Sequence, residues 1–280
     1  MTPPLIVAHR GASAHLAEHT LAAYELAIEQ GADGVECDVR LSRDGHLVCV
    51  HDRTVNRTSS GRGVVSELAL ARLTELDFGV EDEPGVLTFE ALLGLVRDAG
   101  RPVTLFVETK HPVRYAGLVE AKLLATLSRF GLARPRHKAE SPVLMMSFSA
   151  RAVRRMHRHA PELPTVLLLN AIHPLRKDGS LPPWADLTGP GIHLLRADPG
   201  YVARARSRGH ETYVWTVDDP ADIALCQRLG VRWLATNSPV ATRQRLSRER
   251  TSPTHLRKCH SAFVPDCDAV TAGRRAMALI

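Results

Sequence analysis

Short apolar runs alternate with amphipathic stretches along almost the whole chain, and that alternation restricts the fold more than any other feature. The strand-like runs are Leu5–His9, Gly34–Val39, Leu47–His51, Val103–Glu108, Val143–Ser147, Thr165–Leu169, Gly191–Leu195, Thr212–Val217 and Trp233–Thr236. Helical patterns lie between them over Thr20–Gln30, Phe89–Asp98, Tyr115–Arg129, Ala150–His159, Tyr201–Ser207, Ala221–Leu229 and Pro239–Arg248. Strands with near-continuous apolar character are buried on both faces, as in a parallel sheet whose crossovers are helices. Nine strands are one more than a (β/α)8 barrel needs. The turn Ser42-Arg43-Asp44-Gly45 before Leu47–His51 fits a hairpin and is too short for a helical crossover. With the polar, Gly-rich chain that follows, this run forms an insertion over about residues 42–85, after the second strand. The expected fold is therefore α/β, a TIM (β/α)8 barrel with a small insertion. A doubly wound sheet would carry a Gly-rich phosphate turn after its first strand, and His9-Arg10-Gly11-Ala12 is not one.

The barrel is expected to span residues 1–248, with a basic, disordered tail over 249–280 where periodicity is lost. From Ala241 onward eight basic residues face three acidic ones, a surplus of five, so the remainder of a chain of net charge +6 carries about +1. A near-neutral body with 5% aromatic residues does not suit a nucleic-acid reader, which interleaves basic charge with stacking rings on a folded face. The five cysteines, Cys37, Cys49, Cys226, Cys259 and Cys267, include no Cys-x-x-Cys pair. Cys259-His260 with Cys267 makes a poor metal site. The N-terminus lacks the basic start of a signal peptide, and no stretch reaches the roughly 18 apolar residues of a membrane helix. A soluble, cytoplasmic protein without stable membrane insertion is expected.

Barrel enzymes keep their chemistry at the C-terminal ends of the strands. In this chain those ends read His9-Arg10, Glu36-Cys37-Asp38, His51-Asp52 and Glu108-Thr109-Lys110, with Trp215 and Thr236-Asn237 later. Glu36 and Asp38, two apart on a strand, share one face about 7 Å apart, while Cys37 points to the helix layer. Carboxylates turned into a barrel need positive charge to hold them. Glu108 on the neighbouring strand supplies a third. Three carboxylates without a thiolate suit one hard divalent cation, Mg²⁺ or Ca²⁺, rather than zinc. The alternative is a surface pair salt-bridged to Arg10, Arg40 and Lys110. His9 and His51, each at a strand end beside this cluster, suit a general acid and base, because imidazole titrates near neutral pH. Arg10 offers a fork and Lys110 a point charge for a phosphate. Trp215 either stacks over a small substrate or fills the barrel mouth. His15, His111 and His193 read as surface or structural groups, and residues 56–63 as a mobile, solvated loop.

Taken in order, His9-Arg10-Gly11, Glu18-His19-Thr20, Glu36-Cys37-Asp38-Val39, Asp44-Gly45, Val50-His51-Asp52, Glu108-Thr109-Lys110, Trp215 and Thr236-Asn237-Ser238-Pro239 resemble the glycerophosphodiester phosphodiesterases. The likeness runs from about Leu5 to Ala241. It implies a TIM barrel with an insertion after the second strand, His9 and His51 as the acid–base pair, Glu36, Asp38 and Glu108 as metal ligands, and Arg10 and Lys110 on the phosphate. One motif departs from the pattern: the usual Glu-Asn-Thr reads Glu18-His19-Thr20, and an imidazole lacks the amide's paired donor and acceptor. The implied reaction is metal-dependent hydrolysis of a small-molecule phosphodiester, such as glycerophosphocholine or glycerophosphoethanolamine, to sn-glycerol 3-phosphate and an alcohol. Two rivals stand beside it. One is a lysophospholipase D or cyclising phosphodiesterase acting on longer lipids; the other is a catalytically silent barrel that binds glycerophosphodiesters.

Overall fold

The computed structural model describes residues 2–79 and 85–251. Its strands are β1 (Leu5–His9), β2 (Gly34–Leu41), β3 (Leu47–Cys49), β4 (Thr104–Thr109), β5 (Val143–Ser147), β6 (Thr165–Leu169), β7 (Leu187–Pro190), β8 (Tyr213–Val214) and β9 (Trp233–Thr236). Eight of them pair in parallel in the order β7-β6-β5-β4-β2-β1-β9-β8. Parallel bridges Thr188–Thr212 and Gly191–Trp215 bring the two outer strands together and close the ring. The ninth, β3, pairs antiparallel with β2, Val39 opposite Cys49, and stands outside the barrel as the hairpin spacing required.

Helices cover the outside: α1 (Leu21–Glu29), α2 (Leu70–Leu73), α3 (Phe89–Arg97), α4 (Leu118–Arg129), α5 (Ala150–His159), α6 (Ile192–Ala197), α7 (Tyr201–Ser207), α8 (Pro220–Leu229) and α9 (Pro239–Thr251). Thr20, Thr88, Ser149 and Asp219 cap α1, α3, α5 and α8, each side chain accepting a first-turn N–H. Such a cap contributes about 1 kcal/mol and fixes where each helix begins. Gly11 shows why the turn between β1 and α1 needs glycine: its φ is +84°, and a Cβ there would lie 2.7 Å from the Ala23 carbonyl carbon.

One expected strand is a helix. Gly191 is the N-cap of α6 and Ile192–Leu195 lie within that helix, and the seventh barrel strand is the preceding Leu187-Thr-Gly-Pro. The buried residues Ile192 and Leu195 are three apart, a helical spacing, while His193 between them is exposed. The true strand carries a glycine and a proline, which mask its apolar pattern.

β2 shows how the layers separate. Val35, Cys37 and Val39 pack outward with Phe89, Leu92 and Leu123 of the helix layer. Glu36 and Asp38 point inward. The lower half of the interior is filled by Val7, Phe106, Leu144, Met146, Val166, Tyr213 and Trp233. Phe106 packs against Tyr213 and Trp233, with ring centroids 4.9 and 5.0 Å away. The charged residues therefore sit on a dry aromatic floor. Between β2 and α3 the chain builds a satellite with its own small core of Val48, Val50, Val55, Val65, Leu73, Leu76, Phe78 and Val86. The tail expected over 249–280 lies outside the described residues, apart from the final turn of α9. Cys259, His260 and Cys267 lie outside them as well. Cys37, Cys49 and Cys226 are buried free thiols. Among the described residues no helix is long and apolar enough to cross a membrane.

Candidate active site

His9, Arg10, Glu36, His51, Glu108, Lys110 and Trp215 line one cavity of about 100 Å³ at the C-terminal end of the barrel. Asp38 is buried beside it. One oxygen from each of Glu36, Asp38 and Glu108 falls within 4.8 Å of the other two. Parallel register produces this convergence, since His9 lies opposite Glu36 and Asp38 opposite Glu108.

The three carboxylates are buried, so the reading of them as a surface pair does not hold. Two of the three cations named in that reading nevertheless hold the carboxylates. Lys110 Nζ lies 2.8 Å from Glu108 and 3.2 Å from Asp38, and Arg10 Nε lies 3.2 Å from Asp38. Arg40 instead donates to the His51 carbonyl oxygen at 2.8 and 3.0 Å. Three carboxylates against two cations leave excess negative charge in a dry place, and the titration of the group reflects it. Burial, with Asp38 beside them, raises Glu36 well above the carboxylate range and Glu108 to about 8. Burial also opposes the charge on Asp38, but the His19 hydrogen bond, Lys110 and Arg10 outweigh it and hold Asp38 well below its usual value. An all-oxygen set with surplus negative charge fits a hard divalent cation.

Both histidines are held by Nδ1. His9 Nδ1 donates to Asn237 Oδ1 at 2.8 Å, an oxygen that also accepts from Ser13, while the Asn237 amide nitrogen donates to Asp218. His51 Nδ1 donates to Asp52 Oδ1 at 2.7 Å. With each Nδ1–H committed, each Nε2 is left for the cavity, and His9 Nε2 is 3.9 Å from Glu36. Burial and then Arg10 push His9 down to about 4. Burial lowers His51 too, with Asp52 acting against it.

Several residues that complete the site had no role assigned to them from the sequence. His19 occupies the departing motif position with φ +60°, the left-handed region that asparagine enters more readily than most residues. Its Nε2 donates to Asp38 Oδ2 at 2.9 Å, and its Nδ1 lies 2.8 Å from the Tyr24 hydroxyl, which donates to the Glu36 carbonyl oxygen. The imidazole thus ties Asp38 to the body of α1. Arg57 ties the solvated 56–63 loop to the site. Arg57 grips Glu18 with two nitrogens at 2.8 and 2.9 Å and Asp52 with a third at 2.7 Å. Glu18 in turn holds Arg10, so one chain of alternating charges runs from Asp38 to His51. Phe148 meets Trp215 edge-on at 5.1 Å, and the Trp215 indole N–H donates to Gly189 at the barrel seam. Trp215 is therefore anchored as a wall of the cavity. His111, read as structural, pairs with Glu120 at 2.6 Å, His15 lies 3.3 Å from the Ser238 hydroxyl and His193 3.1 Å from the Asn170 carbonyl oxygen, and none of the three lines the cavity.

A family model described as the glycerophosphoryl diester phosphodiesterase family matches residues 9–241. A Mycobacterium tuberculosis protein named "Probable glycerophosphodiester phosphodiesterase 1" is 49% identical over 261 residues, covering 90% of this chain and 95% of its own. A Bacillus subtilis glycerophosphodiester phosphodiesterase is 32% identical, with 84% of each chain covered. Among solved structures, a glycerophosphodiester phosphodiesterase from Agrobacterium tumefaciens superposes with a TM-score of 0.69 at 27% identity, covering 86% of this chain and 98% of its own. An Oleispira antarctica phosphodiesterase described in complex with the product sn-glycerol-3-phosphate shares the fold, with a TM-score of 0.73, 23% identity, and 88% and 97% coverage. The matched span begins at His9 and ends just beyond Asn237, its hydrogen-bond partner, and on these matches the chain belongs to the glycerophosphoryl diester phosphodiesterase family.

Proposed function

We propose that this protein hydrolyses glycerophosphodiesters to sn-glycerol 3-phosphate and an alcohol, with Glu36, Asp38 and Glu108 holding one Mg²⁺ or Ca²⁺ ion. The observation that carries the reading is the pair of histidines, each with Nδ1 tied back and Nε2 left for one cavity that also holds the carboxylates, Arg10 and Lys110. When bound, a divalent cation supplies positive charge that neutralises phosphoryl oxygens. Lys110 and Arg10 add a point charge and a fork for the same oxygens, and Trp215 with Phe148 forms one wall of the cavity. His9 is the stronger candidate for the base. Held near 4, it is neutral at pH 7 and its Nε2 can accept a proton from the attacking oxygen. His51, with Asp52 stabilising its charged form, delivers a proton to the departing alkoxide. A relative that shares the fold is described with sn-glycerol-3-phosphate as its product, which agrees with that direction of cleavage. We read the protein as cytoplasmic, in keeping with the three buried free thiols.

The test is product analysis with glycerophosphocholine and lysophosphatidylcholine, with and without chelator. sn-Glycerol 3-phosphate and choline from the first substrate, abolished by chelator and restored better by Mg²⁺ or Ca²⁺ than by Zn²⁺, is the expected result. Full turnover in excess chelator would remove the metal from the reading. Faster cleavage of lysophosphatidylcholine would favour a lipid phosphodiesterase, and binding without turnover a silent barrel.

A further inference from the structure

A larger cavity, of about 340 Å³, lies beside the first, where the end of β2, the inserted segment and the loop from β4 to α4 meet. Its wall carries three guanidinium groups, Arg40, Arg53 and Arg114, against one carboxylate, Glu67. Arg40 follows Glu36 and Asp38 at two-residue spacing on β2 and holds the His51 carbonyl oxygen. The cavity therefore flanks the site on the His51 side. Arg53 and Arg114 are exposed, and no ion pair joins either of them to a carboxylate among the described residues. Arg114 lies over the Tyr115 ring at 5.4 Å, while Arg40 is attracted by Asp38, Glu108 and Asp52 on the catalytic side and repelled by Arg53. Three guanidiniums against one carboxylate leave this concave wall with surplus positive charge that an entering anion would balance, and each offers a fork matched to carboxylate or phosphate oxygens.

We propose that this cavity receives the departing alcohol, and that Arg53 and Arg114 select an alcohol bearing a negatively charged group, a carboxylate or a second phosphate. The proposal rests on the hydrolase reading above, in which His51 protonates the alcohol. A purely cationic alcohol would bring its ammonium against three guanidiniums, whereas an added carboxylate would pair with them.

Glycerophosphoserine and glycerophosphoethanolamine differ by a single carboxylate on the alcohol, so the ratio of their kcat/KM values isolates its contribution. The full-length protein should favour glycerophosphoserine, and raising the salt concentration should shrink the preference. Arg53→Ala and Arg114→Ala should each lower the ratio about two- to five-fold, the scale of an exposed ion pair, and the double variant by more than either alone. Arg53→Glu should push the ratio below one. Both positions are solvent-exposed, so the melting temperature should stay level and report a folded protein. Turnover of both substrates with a ratio at or below one, or with a ratio unmoved in the double variant, overturns the assignment of this cavity alone. Turnover of neither substrate overturns the hydrolase reading and this assignment with it.

Discussion

Replacing Glu108 with glutamine tests the buried charge that makes the site suited to a cation. The Glu108 carboxyl is raised from its ordinary 4.5 to about 8 by burial and by Asp38. Between those values the unfolded chain has released the proton while the folded chain retains it. Stability therefore falls as pH rises through this window, by about 1.4 kcal/mol per pH unit. By pH 7 the accumulated loss is about 3 kcal/mol. Glutamine keeps the shape of the neutral acid and removes this loss. It also changes the side chain's hydrogen bonding to Lys110 and Asp38, which subtracts about 1 kcal/mol. In excess chelator the Glu108→Gln protein should gain about 2 kcal/mol at pH 7, or about 4–8 °C in melting temperature for a chain of this size. The gain should be larger at pH 8 and vanish near pH 5. Saturating Mg²⁺ or Ca²⁺ should reverse the order, because one of three anionic ligands is gone. Melting curves at pH 5, 7 and 8, with chelator and with cation, decide it. A glutamine variant no more stable than its parent at pH 8 in chelator, or an advantage independent of pH, would refute the reasoning.

Two further outcomes concern the groups around the cluster. His9→Ala and His51→Ala should each lower kcat about 10²- to 10⁴-fold with little change in KM, and on a nitrophenyl diester, whose leaving group barely needs an acid, His51→Ala should lose much less than His9→Ala; equal losses on both substrates would end that division of roles. His19→Ala should cost about 2 kcal/mol in urea unfolding and about tenfold in cation affinity, through the lost bond to Asp38, while His19→Asn, which tolerates the left-handed backbone better, should lose less in unfolding; an alanine variant that matches its parent in both would show that Asp38 needs no such support.

The barrel was legible from local pattern because every buried strand and amphipathic helix writes its own periodicity into adjacent residues. The surplus hairpin strand was legible for the same reason, its four-residue turn leaving no room for a crossover. Glu36, Asp38 and Glu108 could be grouped because two-residue spacing on β2 and a strand-end position on β4 constrain direction without a tertiary model of the site. Leu187–Pro190 was missed where that logic fails, since Thr188, Gly189 and Pro190 interrupt the apolar pattern and the ring supplies the pairing.

What the tertiary structure alone decided are the contacts made across long stretches of chain. Asn237 reaches His9 across 228 positions and sets which of its nitrogens faces the cavity. Arg57 reaches Glu18 across 39 positions and ties it to Asp52, anchoring a loop whose own composition reads as solvent-exposed. His19, a departure when read along the chain, is in space the group that holds Asp38. Local spacing determines which face of an element a side chain occupies, because backbone geometry repeats every two or 3.6 residues. Which partner it meets there depends on how the ring closes and which loops lie over its mouth, and no periodicity in the sequence records that.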